Sequence, residues 1–254
     1  MSVTSSPALA VEGLSLQIGG ARILTDVTLQ VGKAEMLGVI GPNGAGKTTL
    51  FNLVSGVLRP TGGTVWFEGR DVTGEPIHKR ARGGLGRTFQ TSSLFPRLSA
   101  LENVRLAAQI RFGGALSVLR YPTSSDEATR DARERLAEVG LSHKAGDAAG
   151  DLSHGDKRKL EIAVLLATEP SVILLDEPMA GVASGDVPGL SQVIRRVHRE
   201  HGCTVLMVEH HMEVVLGLVD RVAVMHHGQL LACDTPDVVM ADRTVQSAYL
   251  GEAV

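Results

Sequence analysis

Gly41-Pro42-Asn43-Gly44-Ala45-Gly46-Lys47-Thr48 carries the spacing G-x-x-x-x-G-K-[ST]. Glycines in such a run let consecutive backbone N–H groups point into one concavity, which suits phosphate oxygens. A helix starting just beyond adds partial positive charge at its N-terminus. Lys47 would bring a full charge to the β- and γ-phosphates of a nucleotide, and Thr48 a hydroxyl for Mg²⁺. Thr49 is expected to open the helix, which would run to about Leu58 and end at Arg59-Pro60.

A second group of residues has the chemistry to work beside a bound phosphate. Val172-Ile173-Leu174-Leu175 is an apolar run that delivers two adjacent carboxylates, Asp176 and Glu177. Asp176 suits Mg²⁺, held directly or through water. Glu177 suits the polarisation of a water for attack on a γ-phosphate. Glu209-His210-His211 follows another apolar run. Its three side chains could be taken for metal ligands, but neighbours on an extended chain point to opposite sides, so a metal cluster is not expected.

These residues need elements to hold them. Leu37 to Ile40, Val172 to Leu175 and Thr204 to Val208 are near-continuous apolar runs, the pattern of parallel strands covered on both faces. Their carboxyl ends carry the chemistry, and that edge of an open α/β sheet is where ligands bind. Leu14, Leu16 and Ile18, like Val27, Leu29 and Val31, alternate with polar residues and predict half-exposed strands. Thr64 to Glu68, after a Gly62-Gly63 turn, predicts another, giving a small antiparallel sheet. Capping boxes at Ser99/Glu102 and Ser124/Glu127 predict helix starts, the second helix running to about Val139 before Gly140. Asp186 to His201 carries Val187, Leu190, Val193, Ile194 and Val197 on one stripe and stops at Gly202. Thr235-Pro236 predicts a capped helix near the C-terminus. The stretch from about Leu98 to Val139 has little strand character and is expected to be a helical subdomain set into an α/β core.

The 254 residues suffice for a sizeable core, and the composition is that of a globular protein, 43% hydrophobic and 21% charged. A net charge of −3 gives no general attraction to nucleic acid. The basic clusters Lys79-Arg80-Ala81-Arg82 and Lys157-Arg158-Lys159 are expected on solvated faces. Cys203 and Cys233 form no Cys-x-x-Cys and fit a reducing compartment. No secretory signal is visible, and no apolar run approaches the ~20 residues that cross a bilayer. The guanine-reading Asn-Lys-x-Asp of GTP switches is absent, since no asparagine precedes a lysine.

Leu152-Ser153-His154-Gly155-Asp156 precedes a helix with Leu160, Ala163, Val164 and Ala167 at 3/4 spacing. Here the chain resembles the ATP-binding cassette (ABC) ATPases, whose signature reads Leu-Ser-Gly-Gly-Gln, and the resemblance extends over essentially all of it. It implies a P-loop core with a mainly parallel sheet, a small antiparallel β subdomain and an inserted helical subdomain of roughly 91–160, all in one cassette spanning 1–254. It also implies two cassettes head to tail, with Ser153 and the Gly155 N–H of one facing the γ-phosphate held by the other. Gln90, in Arg87-Thr88-Phe89-Gln90, matches the family's Q-loop, which touches Mg²⁺ or the attacking water and faces a membrane subunit. His210 matches the family's switch histidine. Ile18 stands where the family usually stacks an aromatic ring on adenine, so base recognition is expected to be loose. Ala180-Gly181-Val182-Ala183 replaces a D-loop ending in Asp, and His154 and Asp156 depart from the signature; Asp156 is expected to point away from phosphate.

Within that family the chain is most similar to the ATPase subunits of bacterial branched-chain amino-acid importers, through Arg-Thr-Phe-Gln, Leu160 to Ala163, Glu177 to Gly181, Val-Glu-His, and Ala248 to Gly251. Urea importer ATPases are nearly as similar, and a non-transport ABC ATPase is a third reading. The resemblance implies ATP and Mg²⁺ as ligands, a second cassette, like or unlike, two permease subunits, and, indirectly, a periplasmic or lipid-anchored binding protein. It places the chain peripherally on the cytoplasmic face of the inner membrane, with no nucleic-acid partner. Phe89, Leu94, Phe95 and Leu98 are candidates for the permease contact, the alternative being that they fill the helical subdomain.

Overall fold

The computed structural model describes residues 6–88, 93–112 and 126–250. Two sheets organise it. Strands β1 (Leu9–Ile18), β2 (Ala21–Val31), β4 (Gly62–Phe67) and β5 (Arg70–Asp71) form an antiparallel sheet in the order β2-β1-β4-β5. Strands β3 (Met36–Ile40), β6 (Leu85–Arg87), β7 (Val172–Asp176), β8 (Thr204–Val208), β9 (Arg221–His226) and β10 (Gln229–Asp234) form the second, in the order β10-β9-β3-β8-β7-β6. It is parallel except for the β9–β10 hairpin. The Gly62-Gly63 pair lies inside β4 rather than in a turn before it, because Gly62 pairs with Ser15 where β1 shifts register.

Every residue of β3, β7 and β8 is buried, and the period-2 pleat divides them between two cores. Met36, Ile173, Leu175, Val205 and Met207 face one core. Leu37, Val39, Val172, Leu174, Leu206 and Val208 face the other. The second core is closed by the antiparallel sheet and by α1 (Lys47–Ser55). The first is closed by α3 (Ala100–Phe112), α4 (Glu127–Glu138), α5 (His154–Leu166), α6 (Val187–His201) and α7 (Met212–Leu218). Burial on both faces is why these strands read as unbroken apolar runs. The stripe of α6 buries Leu190, Val193, Ile194 and Val197, each gaining about 1.5–3 kcal/mol from leaving water.

Helix ends follow local chemistry. Ser99 Oγ accepts the Glu102 N–H at 3.1 Å, as the capping box requires. Helix α4 is capped differently from expectation: Asp126 accepts the Thr129 N–H at 2.6 Å, and Ser124 lies outside the described residues. Gly140 and Gly202, both at positive φ, follow α4 and α6. Helix α1 is shorter than its sequence suggests, beginning at Lys47 and ending at Gly56 in the left-handed region. A glycine that can reverse the chain ends the helix before the proline does. Helix α8 (Pro236–Ala241) begins after Thr235, and α9 (Arg243–Leu250) ends the described chain.

Arg80 corrects the expectation of a solvated basic cluster. On α2 (Ile77–Arg82) it is only 1% exposed. It donates to Leu53 O and Val54 O, carbonyls in the last turn of α1, and to Glu75 O and Thr73 O. Burial pushes its guanidinium pKa down, with Glu75 and Asp71 opposing.

Candidate nucleotide site

The loop from Gly41 to Gly46 joins the buried end of β3 to α1. Its first glycine is obligatory on steric grounds: a Cβ there would stand 2.1 Å from Met225 O. Gly46 caps α1 at φ 97°, a conformation that β-carbons resist. The first-turn N–H groups of α1 at Lys47, Thr48 and Thr49 have no intrahelical acceptor to serve, so the loop presents donors and helix dipole together.

Lys47 folds back over this loop, its Nζ donating to Gly41 O at 2.7 Å and Pro42 O at 3.0 Å. Desolvation lowers its pKa, while the Glu177 and Asp176 carboxylates oppose the shift. The expected charge constellation is therefore assembled: loop, lysine and both acids stand within electrostatic reach of one another.

Asp176 closes β7 almost fully buried. Its Oδ2 accepts from Arg87 of β6 at 2.8 Å, while its Oδ1 is buried without a partner among the described residues. An orphaned buried acceptor on an acid within electrostatic reach of Lys47, at the start of α1, is what a cation site requires, so Asp176 fits Mg²⁺. Arg87 also donates to Asn52 Oδ1 and Ser55 Oγ of α1, tying the loop helix to the acidic strand. Sequence reasoning quoted Arg87 in a motif and assigned it nothing; an arginine on a short strand beside a buried acid was the available signal. Gln90 and Phe89 lie outside the described residues.

Glu177 sits at φ 50°, unusual for a residue with a side chain. Its N–H donates to Val208 O, joining the exits of β7 and β8. His210, just past β8, puts Nε2 3.0 Å from Glu177 Oε1. The carboxylate of Glu209 turns inward and its Oε2 lies 3.1 Å from His211 Nδ1, while His210 reaches the other way to Glu177, so the three side chains do not converge on one point.

Ser153 and Gly155 occupy a different place, the N-terminus of α5. Ser153 Oγ accepts the Asp156 N–H at 3.2 Å. Gly155 lies against Asp186, and His154 against Gly181. Asp156 is engaged instead by Lys144 at 2.6 Å, with Lys159 at 3.6 Å. Burial tends to raise its pKa, but the bonds from Lys144 and Ser153 and the charges of Lys144 and Lys159 outweigh it and hold the carboxyl low. Ile18 ends β1 and is 56% exposed.

A loop of backbone donors, a lysine and a carboxylate–imidazole pair at one sheet edge can bind a nucleoside triphosphate and direct water at it. The family model described as ABC transporter matches residues 24–180, and that of the branched-chain amino acid ATP-binding cassette transporter matches 229–254. The chain is 40% identical to the high-affinity branched-chain amino acid transport ATP-binding protein BraF of Pseudomonas aeruginosa, over 98% of this chain and all of that one. A nucleotide-free ATP-binding cassette from an ABC transporter superposes with a TM-score of 0.85 at 32% identity, covering 97% and 100% of the two chains. A dimeric post-hydrolysis cassette bound to ADP and phosphate superposes at 0.76 with 26% identity, covering 89% and 98%.

Proposed function

This chain belongs to the ABC transporter family of ATP-binding, ATP-hydrolysing subunits, and from that premise we propose that it powers import of branched-chain or other amino acids through separate membrane subunits. The observation that carries the catalytic part is the Glu177–His210 pair, 3.0 Å apart at the sheet edge beside the phosphate loop. Residues Gly41 to Thr49 bind the triphosphate, and Lys47 exchanges its two loop carbonyls for phosphate oxygens. Glu177 orients and polarises the attacking water. His210 holds Glu177 and senses the γ-phosphate. Thr48, Gln90 and Asp176 would hold Mg²⁺, which would neutralise charge on the β- and γ-phosphates. Ile18 lends the base an apolar contact without a π-face.

One chain completes only half of each site. Ser153 and Gly155 serve the γ-phosphate of a second cassette, like or unlike, and residues 1–254 act as one cassette with a helical subdomain of roughly 91–160. No helix among the described residues is long and apolar enough to cross a membrane, so translocation falls to two permease subunits, with this chain bound on their cytoplasmic side. A binding protein outside the membrane delivers the solute. The match at 229–254 to the branched-chain cassette model favours amino acids over urea.

The permease contact falls on the loop before α3. Asn103, buried, accepts the Phe95 N–H and donates to Phe95 O and Ser99 O. Leu94 packs on the core, whereas Phe95 remains 57% exposed. ATPase activity of the chain with its membrane subunits in lipid should exceed that of the chain alone. Phe95→Ala should fold and bind ATP but lose the stimulation, as an interface hot spot does. Full activity alone, unchanged by membrane partners, rejects the transport reading.

A further inference from the structure

Glu209 has no role in the chemistry above, yet it is 2% exposed and both of its oxygens are engaged. Oε1 accepts the Met179 N–H at 2.6 Å. Oε2 accepts the N–H groups of His210 at 2.9 Å and His211 at 3.3 Å, and lies 3.1 Å from His211 Nδ1. Met179 belongs to the turn that Glu177 opens, closed by Ala180 N–H donating to Glu177 O at 3.0 Å. One carboxylate thus fastens the histidine segment after β8 to the turn after β7.

Glu177 is held in the left-handed region, and such strain persists only where the surroundings over-determine it. Two bonds do so from opposite sides: its own N–H to Val208 O, and the Met179 N–H to Glu209. The same carboxylate fixes the backbone of His210. We infer that Glu209 is a positioning residue for hydrolysis, clamping the Glu177 turn and the His210 segment so that the two side chains meet. It works through them and touches no substrate. The inference rests on the roles given above to Glu177 and His210.

The test measures kcat, KM and ATP affinity in the full chain, or in its membrane-reconstituted assembly where the isolated rate is low. Glu209→Ala removes every bond. Glu209→Gln keeps size, but its amide NH₂ must face backbone donors on one side or the other. Both should lower kcat about ten- to a hundredfold, the scale of a displacement near 1 Å at a reacting group, with ATP affinity within about threefold of wild type. If Glu209→Ala does not fold, Glu209→Gln carries the test. In a His210→Ala background, Glu209→Gln should add little further loss. Wild-type kcat in Glu209→Gln overturns the inference, and so does an equal, multiplying loss on top of His210→Ala. Undiminished kcat in His210→Ala or Glu177→Gln by itself overturns the roles beneath it, read without reference to Glu209.

Discussion

Arg87→Met isolates the energetics of the buried charge pair at the centre of the site. Methionine preserves an unbranched apolar stem and removes the guanidinium. Asp176 Oδ2 then loses Arg87, its one ion-pair partner among the described residues, where Oδ1 already has none. Asn52 Oδ1 loses a donor as well; Ser55 Oγ still donates to Phe51 O at 2.7 Å. Removing one partner of a buried pair leaves an uncompensated charge and costs about 3–5 kcal/mol. With a urea m-value of about 1–3 kcal/mol/M, the midpoint should fall by at least about 1 M. The double variant Arg87→Met/Asp176→Leu should recover much of the loss, because the orphaned charge goes too. A single-variant cost below about 1 kcal/mol, or a double variant no better than the single, would refute the reasoning.

Two further outcomes follow from the same geometry. Ile18→Tyr should tighten ATP about tenfold, since stacking on a base is worth roughly 1–3 kcal/mol; in the wild type GTP should compete within about tenfold of ATP, and a competition titration showing strong ATP preference contradicts this. Lys144→Ala should weaken the acid dependence of stability. The folded-state carboxyl of Asp156 is held below its ordinary value, so its contribution is present above about pH 3.9 and is lost as pH falls through the folded value. Urea midpoints taken from pH 5 to pH 3 should show a shallower acid limb in the variant, and an unchanged limb rejects the Lys144 pairing.

What the sequence disclosed depended on how local each feature is. Strands β3, β7 and β8 were legible because burial on two faces leaves an unbroken apolar run. The loop from Gly41 to Thr48 was legible because spacing alone encodes its function. Strand β6, three residues long, has no periodicity to read, and β9 buries only the four residues between Arg221 and His226, a run too short to stand out. The cap at Asp126 was hidden by a neighbouring Ser-x-x-Glu, and the end of α1 by a proline just beyond the glycine that stops it. Arg80, Arg87 and Glu209 were illegible as buried groups. Their partners lie 26 to 89 residues away in the chain for the bonds that matter most, and a charged residue looks solvated until its tertiary partner is known.

The most direct test of the account replaces Glu177 with glutamine and follows hydrolysis, ATP binding and assembly together. Glutamine keeps the shape and the reach to His210 but cannot serve as a base, a loss worth about 10²–10⁴ in rate. In Glu177→Gln, ATP should still bind, turnover should fall by at least that factor and a nucleotide-bound dimer should accumulate, whereas Lys47→Ala should lose ATP binding itself. Hydrolysis at the wild-type rate in Glu177→Gln would contradict this.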